Sequence, residues 1–386
     1  MIDKNQALLI ELINNALFQT ELNIPEDADW QRVYDESVAQ TVTSLVAESV
    51  PAEFAAVFNE TLMQCRAHYM KLLYEQSKLI ELINAAGIPA MIIKGTAATK
   101  YYPVPFNRIM GDIDVLVPAE LYEQAKTLLA QNGYVFENEE AGRQAAYYKN
   151  DICIELHYCF SQKNPVLEEA ITSCFSNLQM QKISGYSFPI LPEAENGLLI
   201  LAHIQYHILS HGLGLRQLID WEMFVNAHQE NDFWENAFLP LAEKCGLYEF
   251  AMTLTSMCKN YLLFPVATSW CEDINQEQQK LIFDNVMNLG NFGYKIYNDN
   301  SSNRSAIVYM RLREAIKNKE LFKMLQENGL ENWEAAKKHP FLKPFAFIYQ
   351  IFRYLKMGIN EAFHKNGLKQ IKTANDKIEI HQELNK

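Results

Sequence analysis

Apolar positions recur at steps of three and four along the first part of the chain. The pattern is clearest between Ala52 and Ala86, where Phe54, Val57, Phe58, Leu62, Cys65, Tyr69, Leu72 and Leu73 recur at three and four residue steps. Gly87 and Pro89 end it, because a glycine can close a helix and a proline cannot continue one. The period then changes. Pro89 to Ile93 is a short apolar run, while Asp112 to Val117 and Asp151 to His157 alternate polar with apolar residues, which predicts strands. Between them, Ala119 to Asn132 predicts an amphipathic helix closed by Gly133. After Pro192 the helical period returns. It predicts helices near 193–211, 215–229, 233–246, 248–264, 274–288, 304–317 and 340–363, with breaks at Gly246, Pro265, Gly290 and the polar run 298–303. No repeat of fixed period is visible, which argues against a solenoid. The pattern divides the chain into an N-terminal helical region (1–87), an αβ core (88–190), a C-terminal helical domain (191–364) and a polar tail (365–386), so the fold class is α+β.

Composition adds limits. With 49% hydrophobic and 21% charged residues, the 386-residue chain reads as globular and large enough for two to three domains. A formal charge of -13 makes its surface repel nucleic-acid phosphates, so no tight duplex binding is expected. The start, Met1-Ile2-Asp3-Lys4, lacks the basic segment and cleavage site of a secretory signal. The uncharged run Asn196 to Leu215 carries three histidines, a Gln and an Asn, which suits a buried helix better than a membrane span. A cytoplasmic location without membrane association is expected. The seven cysteines include no CxxC pair, so free thiols are expected rather than disulfides or structural zinc.

The candidate chemistry begins at Gly111-Asp112-Ile113-Asp114. Residues two apart in a strand share a side, so Asp112 and Asp114 project together while Ile113 and Val115 face the core. Two adjacent carboxylates repel, and a magnesium ion shared with substrate phosphates would relieve them; the competing reading is a solvated strand face. Lys94-Gly95-Thr96 follows an apolar strand and opens a helical segment, a place suited to phosphate, where Lys94 or Lys100 could add charge. Arg108 could hold a triphosphate or else pair with one of the aspartates. On the strand from Asp151 to His157, Glu155 and His157 face outward together, and Glu155 would complete a carboxylate triad if that strand lay beside Asp112. His157 could touch substrate or support a ligand. His203, His207 and His211 stack at four-residue steps, which favours core hydrogen bonding or substrate contact over zinc. One turn apart, Arg216 and Asp220 are expected to form an intrahelical ion pair, and Tyr101, Tyr102 and Phe106 to pack.

Lys94-Gly95, Tyr102-Pro103, Arg108, Gly111-Asp112-Ile113-Asp114 and Ile154-Glu155-Leu156-His157 together resemble the uncharacterised bacterial nucleotidyltransferase family of the polymerase-beta-like superfamily. The resemblance extends to His203, His207, His211, Arg216 and Asp220, and to Pro340 through Phe345. It implies a small mixed-sheet nucleotidyltransferase core with helices at its back, flanked by an N-terminal helical segment and a large C-terminal all-helical region. It also implies two ions, Mg2+ or Mn2+, held by Asp112, Asp114 and Glu155, with Gly95 and Thr96 in the place of the glycine-serine phosphate loop. Here that loop reads Gly-Thr, and the gap to Asp112 is longer than usual. The implied activity moves a nucleoside monophosphate from a nucleoside triphosphate to a hydroxyl or amine acceptor, a small molecule in preference, with release of pyrophosphate. A catalytically silent nucleotide-binding module and a metal-dependent phosphohydrolase are the alternatives.

Overall fold

A computed structural model describes residues 2–140, 143–161, 164–209 and 212–297, and parts of 322–353. The chain forms two compact units, one made of Met1–Tyr206 with Gly214–Met287, the other of His207–Leu213 with Asn288–Lys386.

The first unit opens with helices α1 (Lys4–Phe18), α2 (Trp30–Ala39), α3 (Thr43–Val46) and the long α4 (Ala55–Ala85). Asp3 caps α1 by accepting from the Asn5 and Gln6 amides while the Gln6 side chain accepts from the Asp3 amide, which satisfies donors the helix cannot. The αβ region follows as β1 (Met91–Ile93), α5 (Gly95–Thr99), β2 (Asp112–Leu116), α6 (Tyr122–Gln131), β3 (Val135–Glu140), β4 (Gln144–Lys149), β5 (Ile152–His157), α7 (Pro165–Thr172), β6 (Gln179–Ile183) and β7 (Tyr186–Ile190). The strands form one mixed sheet in the order β3-β4-β5-β2-β1-β7-β6, with β2 parallel to β5, β1 parallel to β7, and antiparallel pairing elsewhere. Leu72, Leu79 and Ile83 of α4 and Ala125 and Leu129 of α6 pack with Ile92, Ile113, Val115, Ile152 and Ile154, so these two helices back one face of the sheet. This is the α+β architecture expected, with β2 near the centre of the sheet.

Four strands escape the alternation rule. Every residue of β3 is exposed, and its Asn and Glu content gives it no buried face to betray it. The β6–β7 hairpin turns through Ser184 and Gly185, at φ 48° and 92°, and β4–β5 through Asn150 and Asp151, at φ 49° and 61°. Both are two-residue turns whose twist suits a hairpin, and Asp151 therefore lies in a turn and not in the strand.

Helices α8 (Glu193–Leu209) and α9 (Leu215–Ala227) follow, then α10 (Asn231–Phe233), α11 (Leu239–Lys244), α12 (Tyr248–Tyr261) and α13 (Gln276–Leu289). The single helix expected over 233–246 is interrupted by a π turn at Trp234–Phe238. Pro240 explains it, since proline brings no N–H to the preceding turn. All seven cysteines are free, as their spacing suggested. Among the described residues no helix is long and apolar enough to cross a membrane. In the second unit, α14 (Tyr294–Tyr297) and a 3-10 turn at Pro340–Phe345 are described, the latter leading into helical residues 346–353. The helix expected at 304–317 and the tail 365–386 lie outside the described residues.

Gly197 of α8 meets an aromatic nest. A Cβ there would lie 2.3 Å from Phe224 Cζ and 2.7 Å from a Phe238 ring carbon, and Phe224 is itself hemmed in by Trp221 and Trp234. Gly197→Ala is therefore expected to lower unfolding stability by about 1–3 kcal/mol despite alanine's better helix propensity. An unchanged or raised denaturation midpoint would show that the nest yields.

Candidate active site

Register brings the acidic residues together. Parallel pairing of β2 with β5 sets Asp114 opposite Glu155 and Asp112 opposite Cys153, while Ile113 and Ile154 turn to the packed face. The side-chain ligand atoms of Asp114, Glu155 and His157 all lie within 4.8 Å of one another. Lys94 completes the group from the end of β1. Its Nζ donates to Asp114 Oδ1 at 2.6 Å and stands 3.9 Å from Glu155 Oε2. His157 Nε2 reaches the same Asp114 oxygen at 2.9 Å and lies 3.4 Å from Glu155 Oε2. The His157 ring is fully buried, and its Nδ1 has no hydrogen-bond partner.

These contacts divide the two aspartates. Burial alone would raise the pKa of Asp114, but the Lys94 ammonium and His157 override it and hold the carboxyl well below the usual range. Asp112 takes no hydrogen bond or ion pair from the described residues. Burial, then the like charges of Asp114 and Glu155, push it up to about 6 against the pull of Lys94 and Arg216. A clustered set of carboxylates with one member in need of neutralisation fits a divalent cation, because oxygen donors suit Mg2+ or Mn2+ and adjacent buried anions are unstable without a counter-charge.

The phosphate-binding candidates fare differently. Gly95 starts α5 and Gly111 precedes β2, and neither has the positive φ that demands glycine. A Cβ on Gly95 would find ordinary contacts at 3.7 and 3.8 Å, and one on Gly111 would meet nothing within 4 Å. Thr96 is buried, and its hydroxyl donates to Gln76 Oε1 of α4 at 2.8 Å. Lys100 donates to Glu193 Oε1 at 2.6 Å, and the Tyr101 hydroxyl donates to Glu193 Oε2 at 2.7 Å.

Arg108 pairs with neither Asp112 nor Asp114. Its Nε and Nη2 donate to the two oxygens of Asp220 at 2.6 Å each, and the Tyr102 hydroxyl donates to Asp220 Oδ1 at 2.8 Å. The expected Arg216–Asp220 pair is thereby corrected, because a bidentate fork from Arg108 satisfies Asp220 better than a neighbour along the helix can. Arg216 is left with no carboxylate partner among the described residues. Its Nη1 donates to Ile109 O at 3.0 Å, its Nε is buried without a partner, and Asp112 lies within its electrostatic reach. Sequence spacing missed this cation. A cue was present, since an arginine in the first turn of α9 opposes the helix dipole and so calls for some other purpose. His207 belongs to the second unit, where its ring meets Phe292 edge-on at 5.0 Å. His211 lies outside the described residues. Away from the carboxylates, a cavity of about 590 Å³ is lined by Pro192, Glu193 and Phe233, and another of about 190 Å³ by Leu45, Glu48 and Tyr102.

A mixed sheet that presents an acidic cluster from two adjacent parallel strands suits the nucleotidyltransferase class. The chain belongs to the uncharacterised nucleotidyltransferase family, whose sequence profile matches residues 26–262. No curated protein matches it in sequence. Among solved structures, it is similar to the antibiotic-resistance factor ANT(2'')-Ia in solution, at 12% identity over 40% of this chain and 84% of that one, with a TM-score of 0.29. A crystal structure of ANT(2'')-Ia in complex with adenylyl-2''-tobramycin matches at 10% identity over 47% and 98% of the two chains, with a TM-score of 0.33. An antigenic nucleotidyltransferase-like protein from Paracoccidioides brasiliensis matches at 13% identity over 50% and 93%, with a TM-score of 0.29.

The ion pairs make two expectations. Asp220→Asn strands a buried guanidinium and should cost about 3–5 kcal/mol of stability, whereas a change below about 1 kcal/mol in denaturant melts would contradict this role. The second concerns acid. Burial alone would raise the pKa of Glu193, but hydrogen bonds from His228, Lys100 and Tyr101 and the Lys100 charge lower it to about 2. A depressed carboxylate pKa contributes stability above its unfolded value, near 4.5, and loses it as pH falls toward 2. Glu193→Gln should therefore be less stable at pH 7, by about 1 kcal/mol after discounting for exposure, with the difference vanishing near pH 2. A constant difference across that range would exclude the linkage.

Proposed function

We propose that the protein is a metal-dependent nucleotidyltransferase that moves a nucleoside monophosphate from a nucleoside triphosphate to a hydroxyl or amine of a small acceptor, releasing pyrophosphate. The observation that carries this reading is the register of β2 on β5, which sets Asp114 beside Glu155 with Asp112 on the same strand face. In it, residues 88–190 form the catalytic core, and the protein acts in the cytoplasm. Asp112, Asp114 and Glu155 would hold divalent metal, taken as two Mg2+ or Mn2+ ions by resemblance to the superfamily. When bound, such ions offset charge on the phosphates and align an attacking hydroxyl with the leaving pyrophosphate.

The chain's own groups supply the rest. Glu155 is partly exposed and keeps Oε1 free of hydrogen bonds from the described residues, so it is the carboxylate best able to accept a proton from the acceptor. Gly95 and Gly111 leave room beside the carboxylates for phosphate oxygens. Arg216, rather than Arg108, supplies the guanidinium for the triphosphate, and Arg108 with Asp220 and Tyr102 braces the segment that leads to Gly111. His157 fixes the Asp114 carboxylate through its Nε2 contact with Oδ1. The formal net charge of -13 favours a small acceptor over duplex nucleic acid.

Thermal shift with the four nucleoside triphosphates and Mg2+, followed by mass analysis of acceptor reactions, tests the reading. One nucleotide is expected to stabilise the protein only with the metal, and the acceptor should gain a nucleoside monophosphate. Free nucleotide products without acceptor labelling would instead indicate hydrolysis, and no metal-dependent shift with any nucleotide would overturn the reading. Asp112→Asn is the cleanest variant, because Asp114→Asn would also leave Lys94 buried without its partner. It should lower turnover by at least on the order of 100-fold while leaving thermal stability in chelator equal or higher, since it removes a charge its surroundings disfavour. Full turnover by this variant would exclude Asp112 from the metal site.

A further inference from the structure

Lys94 stands in a backbone conformation that a lysine has no reason of its own to adopt. At φ 55° and ψ -124° it joins β1 to α5 through a turn in which glycine would be relaxed, and an L residue held there costs on the order of 1–3 kcal/mol. A glycine is the very next residue, Gly95, yet the strained position carries the long cationic side chain. The strain has a visible result. It turns Lys94 from the end of β1 toward Asp114 of β2 and Glu155 of β5, where the side chain is only 10% exposed and the ammonium lies 2.6 Å from Asp114 Oδ1 and 3.9 Å from Glu155 Oε2. An ammonium that close to Asp114 Oδ1 occupies the space in which a metal ion bound to that oxygen would sit, since Mg2+ ligands lie at about 2.0–2.1 Å. His157 Nε2 reaches the same oxygen, so Oδ1 is enclosed by donors. By contrast, Asp114 Oδ2, Glu155 Oε1 and both oxygens of Asp112 accept nothing from the described residues.

We propose that Lys94 is a built-in cation that takes the place of one of the two ions, so that the site holds a single divalent ion on Asp112 and the open oxygens of Asp114 and Glu155. This rests on the reading of those three carboxylates as the metal site and replaces the two-ion expectation with one ion plus an ammonium. In paired-ion sites the two ions stand about 3.5–4 Å apart and share a carboxylate. Asp114 is the shared group here, with Lys94 on one oxygen and the other open. A fixed ammonium differs from an ion in that it cannot leave with the product, and it keeps Asp114 ionised between turnovers.

The test counts ions. Mn2+ bound at saturation is measured by electron paramagnetic resonance on the full chain with a non-hydrolysable analogue of each nucleoside triphosphate. The wild-type protein is expected to bind one ion per chain. Lys94→Gly, which relaxes the backbone while removing the ammonium, is expected to bind two, and Lys94→Met gives the same comparison with the side-chain volume kept. Two ions on the wild-type chain would overturn the inference and leave the nucleotidyltransferase reading intact. One ion on both the wild-type chain and the folded variants would also overturn it, by showing that Lys94 fills no ion position. No bound Mn2+ on the wild-type chain with any analogue would overturn the metal reading itself, and the inference with it.

Discussion

Repulsion among carboxylates at the centre of a sheet is the constraint that organises this molecule. Asp112, Asp114 and Glu155 lie on adjacent strands, Asp114 almost without solvent, and like charges so placed are stable only if other groups compensate. The back of the sheet supplies rigidity, because α4 and α6 bury the alternate residues of β2 and β5 and so fix the direction in which the acids point. The front supplies charge. Lys94 and His157 converge on one oxygen of Asp114, and Asp112 takes no partner from the described residues, its carboxyl displaced toward neutrality. A site built for its own stability would have paired all three acids or used none. This one stabilises a single aspartate and leaves the other acids open to an external cation.

The two arginines near the site show how the same residue type divides its work by geometry. Arg108 places its planar fork on both oxygens of Asp220, a pairing across 112 residues of chain that ties the segment before β2 to α9. That pairing frees Arg216. Among the described residues no carboxylate pairs with this guanidinium, which donates to Ile109 O and sits within the field of Asp112. Because α9 carries both Asp220 and Arg216, the Arg108–Asp220 pair also sets where Arg216 stands.

What the sequence revealed follows from which rules are local. Alternation is local, so Asp112 with Asp114 and Glu155 with His157 were legible as shared strand faces, and the long periodic helix ending near Gly87 was legible for the same reason. Strands without a buried face, such as β3, were not. Long-range pairing was invisible. A one-turn spacing made Asp220 look like a partner of Arg216, and nothing in the sequence announced that Arg108 would reach it with better geometry. Lys94 was legible as a cation near the site but not as a residue bound to the acids, because that depends on a left-handed turn that only a glycine would have advertised.

The glycines beside the acids complete the argument by elimination. Glycine is costly in a folded chain and is usually retained for a positive φ or for a close contact. Gly133 and Gly185 meet the first condition, and Gly197 the second. Gly95 and Gly111 meet neither, yet they flank Lys94 and Asp112 in a chain whose neighbouring positions are occupied by larger residues. With no demand from backbone or packing, the space that their missing side chains leave is useful only to something that approaches from outside. Open carboxylate oxygens, an arginine that no carboxylate pairs with among the described residues and two sterically unneeded glycines lie near the same two central strands, and an anion carrying its own divalent ion answers all three.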